Sequence, residues 1–91
     1  MGLLEGLMGT VHLGFRTYLL ASRILWIGDP HAAPIRRRLR RAMEEGKVID
    51  STGGRRLQGV ILTTEGYFIL SAMGPKTLAL RVREVLSRPE R

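Results

Sequence analysis

Guanidinium groups are the chemistry this chain offers in quantity. Residues 36–41 read RRRLRR, and residues 51–59 read STGGRRLQG, so Gly53-Gly54 run directly into Arg55-Arg56. Five arginines within six positions repel one another at i,i+3 and i,i+4 spacing on a helix unless a polyanion neutralises them. Arginine is also the side chain that grips phosphate with two parallel hydrogen bonds. Gly53 and Gly54 let the backbone take positive φ and put no side chain between it and an anion. The stretch therefore reads as an anion nest or as a finger reaching for nucleic acid. The plain alternatives are an ordinary hairpin turn for 53–56 and a solvated helix face for 36–41. At the mouth of a strand, Arg55 and Arg56 point to opposite faces, so one reaches outward while the other pairs with Asp50 or a neighbouring subunit.

Other chemistries find little footing. His12 and His31 lie 19 positions apart with no carboxylate at ligand spacing, so no metal site is expected; His12 reads as a strand-edge histidine and His31 as a turn or cap residue. Asp29, Glu44, Glu45 and Asp50 are scattered, with no pair held across a cleft for acid–base work. Ser51-Thr52-Gly53-Gly54 is too short for a phosphate-binding loop, lacks its Lys-Ser/Thr end and precedes a strand. There is no cysteine, which excludes disulfides and thiol catalysis. The expectation is a protein that is not an enzyme, with no catalytic residue, no cofactor and no small-molecule substrate.

What positions these arginines is a small domain. The 91 residues fit one domain, at 10–88, with a variable leader at 1–9 and a short tail at 89–91. Fifteen Lys+Arg against eight Asp+Glu give a net charge of +7, a field that attracts polyanions. The apolar N-terminus has Glu5 inside it and no basic residue ahead of it, unlike a signal peptide. Arg16 and Arg23 then interrupt the run short of the ~20 apolar residues that span a bilayer. A cytoplasmic protein with no membrane partner is expected.

The period of the apolar residues predicts the elements. Residues 10–29 are rich in β-branched and aromatic side chains and suggest two or three antiparallel strands. Pro34 opens a helix whose apolar positions Ile35, Leu39, Ala42 and Met43 form one stripe, closed by Gly46. KVID at 47–50 is extended. A strand pair follows, turning at Glu65-Gly66, and Pro75 opens a second helix with Leu78, Val82, Val85 and Leu86 on one stripe until Arg88-Pro89. The expected class is α+β, a small antiparallel β-sheet with two helices. ILWI at 24–27, VIL at 60–62 and YFIL at 67–70 do not alternate, so both of their faces want burial. Two short helices covering one face leave the other for a second copy, hence a homo-oligomer. Phe15, Tyr18, Trp26, Tyr67 and Phe68 sit among apolar strand residues and read as core or interface.

Several motifs in one register carry a likeness to a known family. They are Ala33-Pro34-Ile35-Arg36-Arg37, Gly46, Ile49-Asp50-Ser51-Thr52-Gly53-Gly54-Arg55-Arg56, Ile69-Leu70-Ser71-Ala72 and Pro75-Lys76-Thr77, preceded by Leu13-Gly14-Phe15-Arg16 and Ala21-Ser22-Arg23. From about Thr10 to Val82, without a gap, the chain resembles the RemA family, the extracellular matrix regulatory protein A of Gram-positive bacteria and its relatives. The resemblance implies a DNA-binding transcriptional regulator of matrix and biofilm production. It would be a ring-like homo-oligomer, nucleoid-associated, bending or wrapping promoter DNA through repeated arginines. The family's DNA-binding arginines fall on Arg23, Arg55 and Arg56, and Arg36, Arg37 and Arg40 join them as candidates around the Gly53-Gly54 turn. The chain departs from the family pattern at Gly53, where the family has tyrosine, at Gln58, where it has a basic residue, at Thr64-Glu65-Gly66-Tyr67 and at Gly74-Pro75-Lys76. One DNA-facing arginine is thus missing, and Arg38, Arg40 and Arg41 are extra. The expected partners are duplex DNA and the chain itself. The rival readings are a basic RNA- or ribosome-associated protein and a structural module that binds an acidic protein.

Overall fold

A computed structural model describes residues 9–87. The expected leader apart from Gly9, the tail and the Arg88-Pro89 helix stop lie outside the described residues. Strands β1 (Thr10–Gly14) and β2 (Thr17–Leu20) form an antiparallel hairpin, and a single 3₁₀ turn (Ala21–Arg23) leads into β3 (Ile24–Gly28). Helix α1 (Ala33–Glu44), β4 (Val48–Asp50), β5 (Gly59–Thr63), β6 (Phe68–Ser71) and α2 (Pro75–Leu86) follow. The α+β class and both helices agree with the sequence reading.

The larger sheet has the order β3-β5-β6-β4 and is mixed, not antiparallel throughout. β3 and β6 run antiparallel to β5, but β4 lies parallel to β6. The loop 51–58 explains this. It crosses the end of β6, where the Ser51 N–H donates to Leu70 O and the Gln58 N–H donates to Ser71 O. β5 therefore lands one place beyond β4's neighbour, and β6 returns into the gap between them.

Register decides which residues face which helix. Ile61 opposite Ile69 lines one face, and Val60 opposite Leu70 and Leu62 opposite Phe68 line the other. Ile61 and Ile69 pack with Val11, Leu13 and Ala21 of the hairpin region and with Leu78 and Val85 of α2. Val60 and Phe68 pack against Leu39 and Ala42 of α1. The expectation of buried faces on β5 and β6 is met, but the means differ. The two helices sit on opposite sides of the sheet, so neither face is left bare. On the α1 side an open groove lined by Leu25, Trp26, Ile35, Leu62 and Phe68 remains beside β3. Within this sheet the apolar side chains left exposed lie on its edges: Leu25 (66% exposed) and Trp26 (36%) on β3, and Ile49 (46%) on β4.

The helix ends follow their local chemistry. Pro34 sits in the first turn of α1, where no N–H is needed. At the other end Gly46 takes φ +71, the Lys47 N–H donates to Ala42 O, and the Gly46 N–H donates to Met43 O. These two bonds close a Schellman cap. Met43, expected on the buried stripe, is exposed instead, because the stripe is centred on Ile35, Leu39 and Ala42. Phe68 and Ile69 lie in the protomer's own core, so Phe68→Asp should abolish cooperative urea unfolding, since a buried carboxylate without a partner costs several kcal/mol. A variant that unfolds like the parent and merely dissociates would place Phe68 at an interface instead.

Candidate nucleic-acid interface

The turn that carries Arg55 and Arg56 is built on Asp50. Its Oδ1 accepts from the Thr52 backbone N–H (2.8 Å) and from the Thr52 hydroxyl (2.7 Å). These two donors, the backbone one foremost, hold the Asp50 carboxyl below its ordinary range. The Arg55 N–H then donates to Thr52 O at 3.1 Å, closing a four-residue turn. Its two central residues, Gly53 (φ +63) and Gly54 (φ +81), have the signs of a type I′ turn. The chain resumes as a strand only at Gly59. Arg55 and Arg56 therefore stand exposed on the loop itself and not at the strand's start, and Asp50 engages Thr52 rather than either arginine.

A second turn packs onto this one. Between β1 and β2, Phe15 (φ +43) and Arg16 (φ +63) are both left-handed. The Phe15 ring lies on the Cα of Gly53, and any Cβ there would collide with it. Arg16, exposed, thus belongs to the same end of the molecule as Arg55 and Arg56. The sequence reading did not select Arg16 or Phe15. Gly14 followed by a polar break at Arg16-Thr17 was the available signal for a turn, but positive φ on Phe15 has no signature of its own. Gly53→Ala must both strain φ, by about 1–2 kcal/mol, and displace Phe15. Gly54→Ala has open space and only the strain to bear. Chemical denaturation should rank Gly53→Ala clearly below Gly54→Ala; equal costs would mean that the ring does not rest there.

Arg23 lies elsewhere. Ile24 pairs with Thr63 at the far end of β5, and the Thr64 N–H donates to Arg23 O. A five-residue strand is about 17 Å long, so Arg23 and the Arg55–Arg56 loop stand at opposite ends of the sheet in one protomer. The Arg23 guanidinium pairs with the Glu65 carboxylate. The Thr64 hydroxyl, and after it Arg23, hold the Glu65 carboxyl below its ordinary range. The pair is therefore formed at neutral pH and is lost only as pH falls through that lowered pKa.

Helix α1 spans the distance between the two ends. Near its start, His31 Nε2 donates to Leu57 O at 3.1 Å, tying the Asp29–His31 turn to the arginine loop. Along its length, from Pro34 onward, Arg37, Arg38, Arg41 and Lys47 line an open groove of about 610 Å³ reaching to Gly66. At 100° per residue the buried stripe divides the arginines, with Arg36 and Arg40 on one flank and Arg38 and Arg41 on the other. All five are exposed. Among the described residues no group of three or more His, Cys, Asp or Glu could hold a metal ion. No helix among them is long and apolar enough to cross a membrane.

With this geometry in hand, comparison with known proteins gives consistent matches. The family model described as RemA-like, extracellular matrix regulatory protein A-like, matches residues 10–82. A Coprothermobacter proteolyticus protein is 45% identical over 76 residues, covering 84% of this chain and 72% of the relative. One from Fervidobacterium nodosum is 35% identical over 85 residues, covering 93% and 91% of the two chains. One from Geobacillus thermodenitrificans is 40% identical over 76 residues, covering 84% and 87%. The names of all three call them regulatory proteins.

Proposed function

The chain belongs to the RemA-like family, and from that premise we propose that it is a transcriptional regulator that binds duplex DNA as a ring-like homo-oligomer and bends or wraps promoter DNA. The observation that carries the reading is the exposed trio Arg16, Arg55 and Arg56 on two interlocked turns. Turns held this firmly present guanidinium groups with little ordering cost on binding. Each protomer then offers a few phosphate contacts, weak alone. Self-association multiplies them, because after the first contact the rest are effectively intramolecular.

The apolar residues left on the sheet edges support self-association. The β3 edge carries Leu25 and Trp26 and the β4 edge carries Ile49, two different surfaces on opposite sides of the sheet. Joining unlike surfaces head to tail closes into a ring when the rotation allows. Assembly is also what could bring Arg23 of one protomer toward the arginine loop of another, since a single protomer holds them apart. Such a regulator acts in the cytoplasm, on the nucleoid, and requires no cofactor. Contacts repeated on phosphates select duplex that deforms easily, more than base edges. Helix α1 presents arginine without Asn or Gln to read adenine in the major groove.

A second reading, RNA binding, gains from one observation. Phe15 (58% exposed) and Tyr18 (63%) are open to solvent rather than committed to the core, and single-strand binders stack bases on such rings. Titration with duplex DNA and with single-stranded RNA across a salt series separates the two. The proposed function requires preferential duplex binding whose log affinity falls by about 0.9 for each phosphate contact per log unit of salt. Preference for single-stranded RNA, or a flat salt response, overturns it.

A further inference from the structure

Phe15 has no part in the protomer's core, yet the backbone is bent unusually to hold it up. Phe15 (φ +43) and Arg16 (φ +63) are the two central residues of the β1–β2 hairpin loop, which calls for positive φ at both. A phenylalanine there in place of glycine or asparagine is an outlier. The surroundings here are specific. A Cβ added at Gly14 (φ +105) would come within 3.6 Å of Met73 Cε, and Gly53 offers its bare Cα to one side of the ring. Phe15 belongs to neither of the two hydrophobic clusters, and 58% of it faces solvent. Its neighbours at this tip are Arg16 and the loop of Arg55 and Arg56, all exposed. A partner taking this ring would meet a cationic end of the molecule. Leu25, Trp26 and Ile49, also exposed, lie on the edges of the larger sheet, and Met43 and Leu80 on the helices. An exposed apolar ring on the same two turns as three exposed arginines suits a ligand that is anionic outside and aromatic within.

Resting on the DNA reading above, we propose that Phe15 is an apolar wedge that enters the duplex between two base pairs while Arg16, Arg55 and Arg56 hold the phosphates flanking that step. Side chains of this kind unstack a base step and kink the helix by roughly 20–90°. The kink is cheapest at pyrimidine–purine steps such as TA and CA. The wedge thus adds a preference for particular base steps to the general preference for deformable duplex, and repetition around an assembly supplies curvature.

The experiment uses the full chain with a duplex carrying 2-aminopurine at a central TA step and end labels that report bending. Wild type should raise the 2-aminopurine emission and bend the duplex. Phe15→Ala should keep the assembled mass and the salt slope, lose the emission change and the bend, and bind the intact duplex about tenfold more weakly. On a duplex already kinked by a central mismatch the same variant should recover most of that loss, which a merely structural role for the ring would not produce. Should Phe15→Ala fold poorly, Phe15→Trp gives the second readout: its emission should be quenched by duplex beyond any quenching of Trp26 seen in wild type. Unchanged emission and bending in Phe15→Ala, equal losses on intact and mismatched duplex, or no added quenching in Phe15→Trp overturns the wedge while leaving the DNA reading in place. A wild-type chain without duplex affinity overturns both.

Discussion

An Arg55→Ala/Arg56→Ala variant should retain its assembled mass and its unfolding transition while losing most of its hold on duplex DNA. Both side chains are exposed on the loop, and neither carries a contact that the fold uses. The Arg55 backbone N–H still closes the turn on Thr52 O. Stability should therefore change by no more than about 0.5 kcal/mol, as for other surface positions. Binding should respond strongly. Removing two phosphate contacts from every engaged protomer reduces the slope of log affinity against log salt by about 1.8 per protomer. Affinity near physiological salt should fall at least about 100-fold once several protomers are involved. The Arg55→Lys/Arg56→Lys variant keeps the charge but loses the two-pronged geometry, and should fall between the two. A gel-shift and calorimetric comparison across salt checks all three. Loss of assembly in the alanine variant would make these arginines interface residues and remove them from the DNA surface.

The second large effect is expected at Leu25. Leu25 is 66% exposed at an open groove that it shares with Ile35, Arg38, Leu62 and Phe68. A carboxylate there stays in water beside a guanidinium, so Leu25→Asp should leave circular dichroism and cooperative unfolding close to wild type. It should nonetheless break any assembly that buries this edge, because an unpaired charge in an interface costs several kcal/mol. Sedimentation should then report a single protomer, and duplex affinity should fall by orders of magnitude with Arg55 and Arg56 untouched. An unchanged mass would send the search for the interface to Ile49 and the opposite edge.

The helices were legible because their cause is local. Prolines in the first turns, a period of 3.6 in the apolar residues and Gly46 as the cap all act within a dozen positions. The placement of the helices was not legible, because stripes on α1 and α2 say that each is half-buried but not on which side of the sheet. Nor was the parallel pairing of β4 with β6, which depends on how the loop 51–58 crosses the sheet. The oligomer expectation rested on one wholly uncovered face, whereas each face carries a helix. It survives on different residues, the apolar side chains of the two edges.

The site divides in the same way. Gly53-Gly54 marked a positive-φ turn, and the structure has one. That Arg55 and Arg56 sit on the turn rather than in β5 follows from strand pairing starting only at Gly59, beyond reach of local pattern. Arg23, grouped with them by resemblance, turns out to stand at the other end of the sheet beside Glu65. Arg16 and Phe15 joined the site through a contact between turns nearly 40 positions apart in the chain.

Light scattering on the wild-type chain, at the concentration and salt where half of a duplex probe is bound, addresses the dependence of binding on assembly most directly. The expected result is a mass of several protomers, free and bound, with affinity lost on dilution below the concentration at which the assembly comes apart. A single protomer of 10.2 kDa that holds the duplex with the same affinity and the same salt slope would contradict it.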